Sequence, residues 1–159
     1  MIFVTVGTQL PFERLIRAID AWAAKHPEQE IVMQSGDTHY TPQHAKAIPF
    51  TQPDEWESLF ERAELVVSHA GMGTILKCLD HSKPLIIMPR LASLGEHRND
   101  HQVATSRRFG HIDAIRIVQN EQELFDAMNQ PFSKTTDQNK NPANLNQLIS
   151  ALRQFIEQN

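Results

Sequence analysis

The sequence has little of what marks secreted or membrane-spanning proteins. Its single cysteine, Cys78, excludes an intrachain disulfide, and its first residues lack the basic flank and long apolar stretch of a signal peptide. We therefore expect a cytoplasmic protein. The longest apolar runs, such as residues 85–89, fall far short of the roughly 20 residues that a membrane-spanning helix needs. Any attachment to a membrane is expected to come from a partner protein.

Positive charge is also scarce. The 15 Lys and Arg residues against 19 Asp and Glu residues give a net charge of −4, which provides no global field to hold nucleic acid or an anionic membrane. Any anion-binding site must therefore be local. With 40% apolar and 21% charged residues, the 159-residue chain has the composition of one globular domain. At this length we do not expect an enzyme of two domains with a cleft between them.

Short apolar runs alternate with segments of helical period along the chain. We predict strands at residues 2–6, 31–33, 47–50, 65–68, 85–88 and 114–118. Helices are expected between them, including one capped by Asp54, with Glu57 completing a capping box, and one from about His97 to Phe109. Because parallel strands need helical crossovers, this alternation predicts an α/β fold, a Rossmann-like doubly wound parallel sheet. A single domain is expected over residues 1–159.

The last part of the chain divides into two segments. Residues 131–144 are polar and are predicted to form a connection. Residues 145–158 carry apolar side chains at helical spacing, Phe155 and Ile156 among them, which predicts an amphipathic helix. That helix either packs on its own sheet or offers a docking surface to a partner.

The most informative loop follows the fourth predicted strand, at the carboxyl edge where open parallel sheets bind ligands. Residues 68–74 have the sequence SHAGMGT. Small residues let backbone N–H groups approach an anion while the following helix adds partial positive charge, which makes this loop a candidate diphosphate cradle. The alternative is a tight turn that needs glycine only for its backbone angles or close packing. Leu76 occupies the third glycine position of a dinucleotide fingerprint, which argues against NAD.

A second polar cluster, residues 95–102, has the sequence GEHRNDHQ at the predicted start of a helix. One interpretation is a capped and solvated helix start. The other is ligand recognition, in which Glu96 and Asp100 accept from sugar hydroxyls while Arg98 or Gln102 donates to an anionic group.

Metal binding is a third interpretation of this cluster. His97 and His101 are four residues apart and would face the same way on a helix, so a metal pair is geometrically possible. No third ligand is obvious nearby, and the chain has no Asp-x-Asp motif to hold a divalent ion against a diphosphate. We therefore predict neither a metal ion nor a cofactor.

Together these loops resemble the C-terminal, donor-binding half of GT-B glycosyltransferases of family 28. The resemblance rests on ordered segments: FVTVGT at residues 3–8, the loop at residues 68–74, KPLIIMPR at residues 83–90 and EHRNDHQ at residues 96–102. Stand-alone donor subunits of two-component enzymes are the most similar. These are the cytosolic subunit of the eukaryotic dolichol-linked UDP-GlcNAc transferase and the PssE-like bacterial exopolysaccharide subunits.

The resemblance implies that a UDP-sugar binds as donor substrate. The implied donor-binding residues are Gly7, Thr8, His69, Gly71, Met72, Gly73, Thr74, Glu96, Asn99, Asp100, His101 and Gln102. One position departs from the family pattern, because Lys77 stands where many members carry a glutamate that takes the ribose hydroxyls. Glu96 could substitute for that glutamate. Arg90 and Arg98 would suit an acidic sugar.

The resemblance also implies the catalytic subunit of a heteromeric hexosyltransferase that transfers a sugar to a lipid-linked acceptor in exopolysaccharide or capsule biosynthesis. The chain would be recruited to the inner face of the membrane by a membrane-anchored, acceptor-binding subunit and would be active only with it. The general base is expected on that partner, and no residue of this chain is assigned as catalytic. The alternative is a non-catalytic nucleotide- or sugar-binding regulatory module on the same fold.

Overall fold

Six short strands form one parallel sheet in the computed structural model, which describes residues 1–132. They are β1 (Ile2–Thr5), β2 (Ile31–Gln34), β3 (Lys46–Ile48), β4 (Leu65–Ser68), β5 (Leu85–Ile87) and β6 (Ile115–Ile117). The strand order is β3-β2-β1-β4-β5-β6, and every neighbouring pair is parallel. The predicted Rossmann-like doubly wound sheet is therefore confirmed.

Helices cover both faces of this sheet. They are α1 (Glu13–Ala23), α2 (Pro53–Arg62), α3 (Met72–Asp80), α4 (His101–Phe109) and α5 (Glu121–Asn129), with a short 3-10 helix at Ala92–Leu94. Side chains of β1 alternate between the faces: Val4 packs in the core under α1 and α5, whereas Phe3 packs under α2, α3 and α4. Burial on both faces explains why the strands are continuous apolar runs.

The start of α2 differs from the sequence prediction. The helix begins at Pro53 after Gln52, and Asp54 does not cap it. Proline suits the first helical position because its missing N–H would have no partner there. Asp54 instead lies in the first turn, where its charge complements the helix dipole. Glu57 forms an ion pair with Lys77 at 2.6 Å instead of completing a capping box.

The start of α4 also differs, because the helix begins at His101 and not near His97. Asp100 Oδ1 accepts from the N–H of Ala92 at 3.0 Å, and Asn99 Oδ1 accepts from the N–H of His101 at 3.2 Å. These bonds hold the preceding residues in an irregular loop. His97 and His101 therefore do not share a helix face, so the helical spacing that would make a metal pair geometrically possible does not occur. Among residues 1–132, no three His, Cys, Asp or Glu side chains cluster as metal ligands.

Most of the predicted connection at residues 131–144 and all of the predicted amphipathic helix at residues 145–158 lie outside the described residues. Within residues 1–132, no helix has both the length and the apolar character required to cross a bilayer.

Asp20 is a buried carboxylate that ties α1 to the loop between β2 and β3. It is 1% exposed and accepts hydrogen bonds from the Tyr40 hydroxyl at 2.6 Å and from the backbone N–H groups of Gln43, His44 and Ala45 at 2.8–3.1 Å. Burial alone would raise the pKa of Asp20, but these hydrogen bonds favour the ionised form and hold its pKa below the usual value. The loop is thus anchored by one charge.

We expect Asp20→Asn to destabilise the fold by about 2–4 kcal/mol, because an amide presents a donor to N–H groups that need an acceptor. The stabilisation from the wild-type carboxylate should be complete above the unfolded pKa of about 3.9 and lost as the pH falls through the lowered folded pKa. Urea unfolding between pH 7 and pH 2 measures both effects. The exposed Asp113→Asn is the control, expected within about 0.5 kcal/mol of wild type. Equal stabilities of the two variants would contradict the anchoring role.

Candidate functional site

A cavity of about 370 Å³ opens at the carboxyl edge of the sheet, between the loops that follow β1, β4 and β5. The strand order reverses between β1 and β4, and the crevice at such a switch point is where open α/β sheets bind ligands. The cavity is lined by Val6, Gly7, Thr8, Gln9, Leu10, His69, Gly71, Gly73, Thr74, Arg90, His97 and Gln102.

The cavity brings together seven of the predicted donor-binding residues: Gly7, Thr8, His69, Gly71, Gly73, Thr74 and Gln102. Met72, Glu96, Asn99, Asp100 and His101 do not line it. Met72 packs against the core beneath α3, and the side chains of Asn99 and Asp100 hold the loop before α4. A direct ligand contact by these residues stays a prediction.

Glu96 is engaged in contacts within the protein. Its carboxylate accepts from Arg14 Nε at 2.7 Å and Arg14 Nη2 at 2.8 Å, and also from the N–H of Leu91 at 2.9 Å. Arg14 donates to two backbone carbonyls as well. Glu96 thus anchors the loop after β5 to α1, and this arrangement does not leave it free to replace the family's ribose-binding glutamate. Lys77, at the glutamate's own position, is paired with Glu57.

The helix α3 begins in the wall of the cavity. The N–H of Ile75 donates to the carbonyl of Gly71, so the N–H groups of Met72, Gly73 and Thr74 precede the first hydrogen bond of the helix. In the described part of the chain, no side chain caps this helix. The first turn therefore offers N–H donors and the positive end of the helix dipole to an anion.

Gly7 and Gly71 make room for the imidazole of His69. A Cβ atom at Gly7 would lie 2.7 Å from His69 Cε1, and one at Gly71 would overlap the same ring. Gly7 also has a φ of +74°, which favours glycine. Gly73 is different, because nothing lies within 4 Å of a Cβ placed there and the position lines the cavity. Close packing thus explains two glycines, and open access to the helix start explains the third.

Hydrogen bonds join the three loops. Thr5 Oγ1 donates to Gln34 Oε1 at 2.5 Å and accepts from the N–H of Gly7 at 3.2 Å, which holds the loop after β1. Gln102 Oε1 accepts from the N–H groups of Ala70 at 3.3 Å and Arg90 at 3.1 Å, which links the loops after β4 and β5. The side chain of Gln102 therefore shapes the wall that it lines.

The electrostatic character of the cavity is positive. Burial, together with the charge of Arg90, lowers the pKa of His69 to about 4, so that its imidazole is neutral at physiological pH. In the described part of the chain, none of the lining residues is Asp or Glu. The guanidinium of Arg90 and the start of α3 therefore set the sign of the potential, which favours an anionic ligand.

The donor-binding set implied by the resemblance omits five lining residues: Val6, Gln9, Leu10, Arg90 and His97. Val6 and Gln9 belong to the same loop as Gly7 and Thr8, and Leu10 follows it directly. Arg90 and His97 lie within the segments used for the family resemblance, but no local pattern shows that their side chains reach the switch point.

These features agree with a match in sequence, in which residues 1–158 fit the glycosyltransferase family 28 C-terminal domain. The chain belongs to this family. One similar protein is the UDP-N-acetylglucosamine transferase subunit ALG13 of Eremothecium gossypii, which is 37% identical to this chain over 115 residues. That match covers 69% of this chain and 54% of the relative, so this family 28 chain spans about half the relative's length.

Solved structures share the architecture of this family 28 domain. The NMR solution structure of ALG13 has a TM-score of 0.58 at 17% identity, covering 86% of this chain and 90% of that one. The crystal structure of the glycotransferase of kitacinnamycin has a TM-score of 0.62 at 18% identity, covering 96% of this chain and 38% of that one. At identities this low, the matches show the fold alone. They confirm the predicted fold, that of the C-terminal half of a GT-B glycosyltransferase.

We expect Gly71→Ala to lower the free energy of unfolding by about 2 kcal/mol, through overpacking against His69. The backbone at Gly71, with φ −85° and ψ 126°, suits any residue, and the three nearest atoms to an added Cβ all belong to the His69 ring. The same substitution in a His69→Ala background should therefore cost under about 0.5 kcal/mol, measured by urea unfolding in a double-mutant cycle.

Gly73→Ala is the matched control for this cycle, because its added Cβ meets nothing within 4 Å. Because Gly73 lies in the first turn of α3 and alanine has the higher helix propensity, the substitution should raise stability slightly, by the same amount in both backgrounds. A cost of Gly71→Ala that is the same with and without the His69 ring would contradict the packing assignment.

Proposed function

We propose that this chain binds a UDP-sugar and serves as the donor-binding subunit of a heteromeric glycosyltransferase. The observation that carries the proposal is the cavity at the switch point, where the start of α3 offers N–H donors and the wall formed by residues 1–132 has no carboxylate. A diphosphate brings at least two negative charges to such a helix start. Membership of family 28 supports a glycosyl donor as the source of that diphosphate.

UDP-N-acetylglucosamine is the first donor to test, because the relative with 37% identity carries it in its name. The cavity of about 370 Å³ lies within the size range of small-molecule sites. A role in exopolysaccharide or capsule synthesis stays a prediction that rests on the sequence resemblance alone.

We propose that a partner supplies the general base and the lipid-linked acceptor. Two histidines, His69 and His97, line the cavity. The buried His69 has a pKa of about 4 and is poorly matched to take a proton from a hydroxyl at neutral pH. The partner would be membrane-anchored and would hold this chain at the inner, cytoplasmic face of the membrane. The proposal needs no metal ion, since the N–H groups of α3 would offset the diphosphate charge.

A non-catalytic nucleotide- or sugar-binding module is the second candidate. The same observation favours it, because N–H donors at a helix start bind a diphosphate whether or not transfer follows. The two candidates differ only in what happens once a partner is present.

We expect Gly73→Val to weaken UDP binding about 10-fold or more while the fold remains intact, because its side chain would occupy the open space beside the start of α3. Isothermal titration calorimetry measures the affinity, and circular dichroism verifies the fold. Ala104→Val is the matched control, since it places the same branched side chain at an exposed position of α4 outside the cavity lining. Wild-type UDP affinity in a folded Gly73→Val protein would contradict the assignment of the diphosphate to this loop.

We also expect the purified chain to bind the donor and to transfer nothing alone. Transfer to a lipid-linked acceptor should appear when the candidate membrane partner is co-purified with it, and should be lost when Gly73→Val replaces the wild-type chain in that complex. A radiolabelled sugar donor gives the readout. Robust transfer by the chain alone would reject the subunit proposal, and donor binding without transfer in the complex would favour the non-catalytic module.

A further inference from the structure

Arg90 is a buried cation in the wall of the cavity. The residue is 3% exposed, and its Nη2 donates to the carbonyl oxygens of Val6 at 2.8 Å and Leu10 at 2.5 Å. Its guanidinium lies over the ring of Phe12, with Cζ 4.9 Å from the ring centre. Its Nε is buried and has no hydrogen-bond partner among residues 1–132. The hydrogen-bonding capacity of the guanidinium is therefore only partly used.

The charge of Arg90 is not neutralised by an ion pair. None of the ion pairs within residues 1–132 includes it. The carboxylate of Glu96 acts on it electrostatically, but that carboxylate is held by both Nε and Nη2 of Arg14. Burial lowers the pKa of Arg90 to about 10, so the group stays charged at neutral pH. A buried charge without a counter-charge is costly, and a bound anion would remove that cost.

We propose that Arg90 is a specificity-determining residue of this cavity, whose guanidinium binds an anionic oxygen of the ligand and makes the site select negatively charged ligands. The inference rests on the proposed function and adds to it the side chain that recognises the negative charge of the ligand. The anionic oxygen belongs either to the diphosphate or to a carboxylate on the donor sugar. A guanidinium forms charge-assisted hydrogen bonds with both.

Position in the cavity separates Arg90 from the other basic residue of this loop. Arg98 is exposed and does not line the cavity. Gln102, the other donor expected from the sequence, directs its Oε1 to two backbone N–H groups. The amide of Gln102 carries no charge, so Arg90 is the member of this set that brings a full positive charge to the cavity wall.

Arg90 also positions the loop after β1 through its bonds to Val6 and Leu10. A substitution would loosen that loop as well as remove the charge. Binding of uridine distinguishes the two effects, because uridine is the nucleoside part of UDP and has no phosphate. A loop defect weakens uridine and UDP alike, whereas a lost anion contact weakens only the charged ligand.

The experiment compares the full-length wild type, Arg90→Gln, Arg90→Lys and the exposed control Arg98→Gln, each verified as folded by circular dichroism. Dissociation constants are measured by NMR titration for uridine, UDP, UDP-glucose and UDP-glucuronate. Arg90→Gln should weaken at least one charged ligand about 10- to 100-fold and leave uridine within about twofold. Arg90→Lys keeps the charge and should recover part of the loss, and Arg98→Gln should match wild type.

The pattern of losses identifies the source of the anionic oxygen. If Arg90 contacts the diphosphate, Arg90→Gln weakens UDP and both UDP-sugars equally. If it contacts a sugar carboxylate, only UDP-glucuronate is weakened. Equal weakening of uridine and the charged ligands, or no weakening of any ligand, would overturn the inference.

Failure of the proposed function gives a different result, in which wild type binds none of the uridine ligands. The inference about Arg90 is then decided with inorganic pyrophosphate, measured as a rise in Tm. Stabilisation of wild type and of Arg98→Gln but not of Arg90→Gln would keep Arg90 as an anion-binding residue. No stabilisation of wild type, or the same stabilisation of Arg90→Gln, would overturn it.

Discussion

The packing of one imidazole between two glycines sets the spacing of the whole cavity. The ring of His69 occupies the space that Cβ atoms at Gly7 and Gly71 would need, so it holds the loop after β1 and the loop after β4 at a defined separation. That separation leaves the first turn of α3 open at Gly73. The ring can serve this purpose because burial keeps it neutral, and a neutral ring adds no second charge next to Arg90.

The third loop depends on contacts with distant parts of the chain. Glu96 reaches Arg14 across 82 positions of sequence, and Arg90 reaches Val6 across 84. These two contacts attach the segment after β5 to α1 and to the end of β1. Because the segment is held at both points, it contains only the short 3-10 helix at Ala92–Leu94, and α4 starts at His101.

These distances explain what could be predicted from the sequence. Strands such as β4 and helices such as α1 follow from apolar runs and helical period, which are local signals, and the parallel sheet follows from their alternation. The Gly7 and Gly71 loops were found for the same reason, since glycine after a strand is visible locally. The start of α2 at Pro53 follows a local rule for proline at the first helical position, which the predicted cap at Asp54 overlooked. The irregular loop before α4 and the place of Arg90 in the cavity depend on partners far away in sequence, so no local pattern contains them.

Charge shows the same contrast between the whole chain and the site. The net charge of −4 excludes a general affinity for anions, yet the cavity lining contains a guanidinium and no carboxylate. Two carboxylates of the surrounding segments form ion pairs instead: Glu96 with Arg14 and Glu57 with Lys77. Pairing those carboxylates outside the cavity leaves the helix start and Arg90 without competition inside it. A chain with no excess of positive charge can therefore select an anion, because what matters at short range is the sign of the few groups that line the wall.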